Sequence, residues 1–312
     1  MNQPEDISFN PDFGALCGFT QNELESYFDL EINEYSKEYN GRDEYLDKLK
    51  RFYNGYKFSK DSEKVYNPIS ILKHFGNNAD FHVFWAETGT PSFLAKFIER
   101  NGVDILDIEK SELPSQAFVK YNEDEITLLP LMYQAGYLTI KEYDRELDAY
   151  KLSYPNTEVR SSFSEFISRK YTNIDSIKNS SALNKLCRAL QSGDVDTFIE
   201  IIKIYMQSIK YDLITKMTEY YFEFAFANIL NMLGFNCEIE VHSAIGSVDA
   251  VIKFQKSVFI IEAKLDKPVE EALNQIEEKK YYMPYLDKRL NIYKIGVVFG
   301  SKERNIIDYR FE

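Results

Sequence analysis

Three charged residues stand out because they fall in runs that otherwise read as buried strand. Ser247-Val-Asp249-Ala-Val-Ile-Lys-Phe is followed closely by Ser257-Val-Phe-Ile-Ile-Glu262-Ala-Lys264. A charge on a buried strand costs several kcal/mol, on the order of the desolvation of one ion, unless it is paired or holds a metal. Strand side chains alternate faces, so Val258, Ile260, Glu262 and Lys264 share one face and Phe259, Ile261, Ala263 and Leu265 the other. If the two runs form a hairpin through Gln255-Lys256, Asp249 comes opposite the Glu262 end. Two carboxylates there, with the Ala263 carbonyl, make an all-oxygen donor set that suits Mg²⁺ or Mn²⁺. A metal so held would activate water against a phosphodiester, with Lys264 orienting the nucleophile or stabilising developing charge.

Flanking residues could complete such a site. A helix ahead of the strands offers Glu219 and Glu223, four apart on one face, and one of them could point inward. The helix after them offers Gln275 and Lys279, again four apart, with Tyr281 and Tyr282 close behind, all suited to substrate phosphate or bases. A plainer alternative stands beside this one. Asp-x₁₂-Glu-x-Lys is a loose pattern, and the same residues could make a salt-bridged rim with Asp249 in a turn.

The elements that must position these residues alternate cleanly. A helix over about 215–233 ends at Gly234; strands follow at 236–242, 247–254 and 257–265. Lys267-Pro268 opens a helix to about Tyr282, and Ile292–Phe299 is a last buried strand. The order αβββαβ describes one sheet covered by helices. Upstream, the chain reads as mainly helical. Thr20 and Glu23 form a capping box, Arg42–Phe52 is amphipathic, and Asn67-Pro68 and Thr90-Pro91 each open a helix. A short helix at 128–136, strands at 137–143 and 149–154, and a helix at 159–171 make a winged-helix-like unit. The helix before the wing carries no Lys or Arg, so the unit reads as a docking or packing module rather than a DNA reader. Amphipathic helices cover 181–209, and a change of composition near Lys210 marks a boundary. The expected divisions are thus a helical region (1–124), the winged-helix-like unit with connecting helices (125–209) and a C-terminal domain (210–312).

Composition narrows the classes. The net charge of −13 argues against nonspecific DNA binding over the whole surface, yet its distribution is uneven. Residues 1–200 hold 22 Lys and Arg against 34 Asp and Glu, whereas residues 201–312 hold 15 against 16. The C-terminal third can therefore meet a phosphate backbone. The 23 Tyr and 23 Phe are assigned mostly to packing. Cys17, Cys187 and Cys237, with no CxxC pair, read as buried reduced thiols. His74, His82 and His242 are too scattered for zinc. No signal-peptide pattern and no apolar run long enough for a bilayer is present, so the expectation is a cytoplasmic protein without a membrane partner.

Residues 215–311 resemble the nuclease domain of the PD-(D/E)XK superfamily, in particular the group attached to a AAA-ATPase-like domain in bacterial, Bacteroidetes-type, proteins. The carriers are Glu219-Tyr-Tyr, Leu233-Gly-Phe235, Glu240-Val-His-Ser, Gly246-Ser-Val-Asp249, Ile261-Glu-Ala-Lys264, Glu271-Ala-Leu-Asn-Gln275, Lys279-Lys-Tyr281 and Lys294-Ile-Gly-Val297. The likeness continues upstream through Phe52-Tyr-Asn-Gly-Tyr56, Tyr66-Asn-Pro68, Trp85–Pro91, Gln134–Thr139 and Tyr154–Arg160. It implies a restriction-endonuclease-like sandwich in which Asp249, Glu262 and Lys264 are catalytic, with Glu219, Gln275 and Lys279 accessory. Asp249, Glu262 and the Ala263 carbonyl would hold Mg²⁺ or Mn²⁺, and nucleic acid, DNA before RNA, would be the partner. The group usually has Arg where His242 stands and Gly-Arg where this chain has Gly246-Ser247. It also begins with a P-loop core, and no G-x-x-x-x-G-K-[ST] occurs here. The chain thus looks like the last part of such a protein, its helical region being the end of the ATPase-like module. No ATP site is expected in it, and a separate ATPase subunit or self-association is expected instead. The alternative function is a non-catalytic nucleic-acid- or protein-binding module that retains the nuclease fold.

Overall fold

The computed structural model describes residues 7, 9–85, 94, 97, 112–118, 127–171, 176–209, 226, 228–230, 232, 240–242, 250–254, 256–286 and 289–312. The chain divides into two compact units, Met1–Phe163 and Ser164–Glu312.

The first unit opens with α1 (Gln21–Tyr27) and α2 (Asp29–Tyr35). The Thr20 hydroxyl accepts from the Glu23 backbone N–H, and the Glu23 carboxylate accepts from the Thr20 N–H, so both orphan donors of the first turn are satisfied. Next come α3 (Arg42–Tyr53) and α4 (Pro68–Gly76), the latter capped by the Asn67 side chain. The helix expected from Thr90 starts outside the described residues. Rings fill the core between α3 and α4: Tyr53 and Phe81 stack, and His74 lies against both. The assignment of aromatic residues to packing holds for these.

A short strand, β1 (Glu112–Pro114), precedes α5 (Leu128–Gln134), β2 (Thr139–Asp144) and β3 (Ala149–Ser153). The order β1-β3-β2 adds a third strand to the expected hairpin. Then α6 (Thr157–Tyr171) begins two residues before the expected Val159. Its start is pinned by Asn156, which accepts from the Val159 N–H and donates to the Asn54 carbonyl. Gly55 is required beside it: at φ 108° a Cβ would lie 1.9 Å from the Pro155 carbonyl oxygen.

The second unit holds α7 (Ser176–Ser192) and α8 (Val195–Gln207), joined by the Ser192-Gly193-Asp194 turn. Its sheet comprises β4 (Glu240–His242), β5 (Ala250–Phe254), β6 (Ser257–Leu265), β7 (Asn291–Gly300) and β8 (Asn305–Phe311), in that spatial order. A helix, α9 (Val269–Lys279), connects β6 to β7. That pair is parallel and needs such a crossover, whereas the other pairs are antiparallel.

The two faces of the sheet bury different partners. Ala250, Ile252, Phe254, Phe259 and Ile261 share a core with α7, α8 and the helical residues Phe226, Ile229, Leu230 and Met232. Val251, Val258 and Ile260 pack with Ile276 of α9. The compact unit therefore begins ahead of the composition change near Lys210, because α7 and α8 cover the sheet.

Three expectations need correction. Ile292–Phe299 is not the last strand: β8 follows it, and its mixed sequence, with Asp308 and Arg310, lacks the apolar run that made β7 legible. The helix expected to reach Tyr282 stops at Lys279, because Lys280 turns left-handed at φ 53°. The three thiols were expected to be alike, buried and reduced. Instead Cys17 is free and exposed and Cys187 is disulfide-bonded, while Cys237 lies outside the described residues.

Candidate functional site

β6 is the strand that carries chemistry. Its first six residues are buried and its last three half-buried, so the chain emerges from the core just past Glu262. Glu262 is 2% exposed, and Lys264, two residues on, shares its face. The Lys264 Nζ donates to Glu262 Oε1 at 2.8 Å and to Gln275 Oε1 at 2.7 Å. The Gln275 amide in turn donates to the Tyr281 hydroxyl at 3.4 Å. An ammonium has three donors, so one Lys264 N–H remains for a substrate oxygen.

The approach of α9 makes this cluster possible. Gly296 pairs with Glu262 across β6 and β7, and a Cβ there would sit 3.1 Å from Leu273 and 3.2 Å from Ala272. The absence of a side chain at Gly296 lets α9 settle on the sheet, bringing Gln275 within reach of Lys264. At the end of α9 the N–H of Tyr281 reaches the Ile276 carbonyl and that of Lys280 the Glu277 carbonyl. This is a Schellman closure around a left-handed Lys280, and it folds Tyr281 back over Ile276 and towards Gln275. Tyr281 is the member of the network that strand and helix periodicity could not fix, since its position depends on where the helix ends.

The structure thus brings together Glu262, Lys264 and Gln275, residues expected from strand alternation and helix spacing. Lys279 is exposed at the last turn of α9. Asp249 and Glu219 lie outside the described residues, as does Ser247. Phe226, Ile229, Leu230 and Met232 pack on the sheet face of Phe259 and Ile261, opposite that of Val258 and Ile260. The hairpin expected through Gln255-Lys256 is formed, with Phe254 paired to Ser257 and Ala250 to Ile261. Among the described residues, no group of three or more His, Cys, Asp or Glu side chains could hold a metal. The donors present at the strand end, the Glu262 carboxylate and the Ala263 carbonyl, are hard oxygens of the kind Mg²⁺ or Mn²⁺ takes, and they fit part of such a site.

Residues 217–309 carry this arrangement and match the family model described as the PD-(D/E)XK nuclease superfamily. That segment is similar to the PD-(D/E)XK nuclease superfamily. The whole chain is also similar to a protein of Azotobacter chroococcum mcd 1, described as an uncharacterized protein in the vnfD 5′ region, with 27% identity over 320 residues. The match takes in 100% of this chain and 60% of that relative's length. No solved structure matches the chain significantly. No helix among the described residues is long and apolar enough to cross a membrane.

Proposed function

We propose that the PD-(D/E)XK segment hydrolyses phosphodiester bonds of nucleic acid, DNA before RNA, with Mg²⁺ or Mn²⁺ as cofactor. The observation that carries the reading is the Glu262–Lys264–Gln275 cluster, a charged group at the end of a buried strand. The Ala250–Ile261 pairing supports the place of Asp249: one more residue of the same register would set it across from Glu262, on the same face.

Asp249, Glu262 and the Ala263 carbonyl would hold the metal, which when bound supplies a water of lowered pKa and charge neutralisation at the phosphate. Glu262 fixes the Lys264 ammonium by an ion pair, and Gln275 holds it from the helix side. Lys264 then points its remaining donor at the attacking oxygen or a phosphate oxygen. Glu219 and Lys279 are proposed as accessory residues at the rim. The winged-helix-like unit is proposed as a docking module, for an ATPase subunit or a second copy, in a cytoplasmic setting.

The test is cleavage of single- and double-stranded DNA in Mg²⁺ or Mn²⁺, with Asp249→Ala and Glu262→Gln as controls. Metal-dependent cutting that both substitutions abolish is expected. Cutting that survives them would sink the assignment. Failure to bind Mn²⁺ at all would favour the alternative, a binding module on a nuclease fold.

A further inference from the structure

The segment after α9 has a composition unlike the rest of this acidic chain. Residues 279–289 read Lys-Lys-Tyr-Tyr-Met-Pro-Tyr-Leu-Asp-Lys-Arg, four cations against one carboxylate in a protein of net charge −13. Lys279, Lys280 and Arg289 are exposed, Met283 is 54% exposed and Leu286 62%. Tyr281, Tyr282 and Tyr285 are each half-buried against the small core of Val258, Ile260 and Ile276, so they are anchored yet still reach solvent. Lys294 lies over the Tyr282 ring, 4.3 Å from its centre, and pairs with Glu277. The segment is physically continuous with the candidate site, because the Tyr281 hydroxyl is two hydrogen bonds from the Lys264 ammonium.

Apolar side chains and anchored rings beside exposed cations call for a polyanion that also offers flat apolar faces. A duplex presents phosphates and groove edges but hides its base faces. A single strand presents both, and base-on-ring stacking with a cation behind the ring is the usual means of holding one. The left-handed Lys280 fits the same purpose. Glycine takes that backbone conformation with less strain, and a cation stands there instead.

We propose that Lys279–Leu286 is a platform that binds single-stranded nucleic acid, stacking one or two bases on Tyr282, Met283 and Tyr285 while Lys279 and Lys280 take adjacent phosphates. Accordingly, the nuclease segment acts on single-stranded or locally unpaired substrate. This rests on the proposed phosphodiesterase reading for its cleavage half, and the binding half stands without it.

The experiment is fluorescence anisotropy on the full chain at low salt, without divalent metal so that nothing is cut. The probes are labelled oligo-dT, oligo-rU and a DNA duplex of equal length. Binding of single strands at least about tenfold tighter than duplex is expected, given the usual strength of a single base–aromatic stack. Comparison of dT with rU separates DNA from RNA. Tyr282→Ala should weaken single-strand binding about tenfold and leave duplex binding nearly unchanged. Lys280→Gly keeps the turn and removes the charge; it should lower the salt dependence by roughly the increment of one phosphate contact.

Equal or tighter binding of duplex would overturn the proposal, and so would a Tyr282→Ala protein that binds single strands normally. Light scattering in which Met283→Ala/Leu286→Ala breaks a dimer with oligonucleotide binding unchanged would also overturn it, assigning the surface to a second copy. The two readings fail separately. Tight single-strand binding with no metal-dependent cutting refutes the nuclease and leaves the platform, whereas cutting that Tyr282→Ala leaves untouched refutes the platform alone.

Discussion

Among the described residues each unit buries one glutamate, and the two are handled in opposite ways. Glu158, in the first turn of α6, is fully buried; its carboxylate accepts from the Ser70 hydroxyl at 2.8 Å and the Trp85 N–H at 2.9 Å. Burial pushes its pKa up to about 7, and those two hydrogen bonds only partly offset the desolvation. Glu262, nearly as buried, sits against a lysine at the point where its strand leaves the core. Neutral donors in a closed interior make Glu158 a pin between α4, α6 and the Trp85 segment. A cation at an emerging strand end makes Glu262 a candidate for chemistry. The lesson is that burial of a carboxylate says little about its role until the charge and the openness of its surroundings are known.

The largest separation between the two should come from Glu262→Gln. Metal-dependent cleavage should fall at least about a hundredfold, as when a single preorganised charge is removed from an active site. Circular dichroism and thermal melting should be nearly unchanged. Glu158→Gln should do the reverse, sparing cleavage and changing the pH dependence of stability. A carboxyl raised from 4.5 to about 7 stabilises the folded state fully below pH 4.5, and that contribution is lost as pH rises through 7. The loss amounts to roughly 3 kcal/mol over that interval. His74 acts with the opposite sign. It is buried, accepts from the Tyr45 hydroxyl and donates to the Asp80 carbonyl, and burial lowers its pKa to about 4. Its contribution is present above pH 6.5 and is lost as pH falls through 4. In the parent the two slopes oppose each other, so Glu158→Gln should uncover a rise in stability from pH 4 to 6.5. Denaturant titrations followed by Trp85, the single tryptophan, would measure it.

A smaller effect is expected at Gln275. It acts on Lys264 rather than on substrate, so Gln275→Ala should lower kcat about tenfold, as loss of an outer-shell partner does. Mn²⁺ affinity should hold, and Gln275→Glu should rescue part of the rate by restoring an acceptor for Lys264. The smallest effect is at the end of α9. Lys280→Gly removes left-handed strain at a non-glycine residue and should raise the stability of the second unit by about 1 kcal/mol, measured as a higher Tm.

How much of this was legible follows from which interactions are local. Glu262 and Lys264 could be placed on one face because alternation has a fixed period, and β6 has the expected limits of 257–265. The hairpin at Gln255-Lys256 was equally legible, since a two-residue connection leaves one register. Gln275 followed from helix spacing. Tyr281 as a hydrogen-bond partner did not, because its place depends on the left-handed turn at Lys280, which no residue-type rule signals. Glu158 was hidden for a different reason. An acidic residue in the first turn of a helix is ordinary at a surface, and only tertiary packing closes Ser70 and Trp85 over it. β8 was missed because an edge strand with alternating charges lacks an apolar run. Asp249, Glu219 and Ser247 lie outside the described residues.

The most direct test of the central claim is Mn²⁺-dependent cleavage of a labelled single-stranded oligonucleotide by the parent, Glu262→Gln and Glu158→Gln proteins side by side. Cleavage in the parent and in Glu158→Gln, with none in Glu262→Gln, is the expected result. Equal cleavage by all three would contradict the claim that the cluster at the end of β6 is the seat of the chemistry.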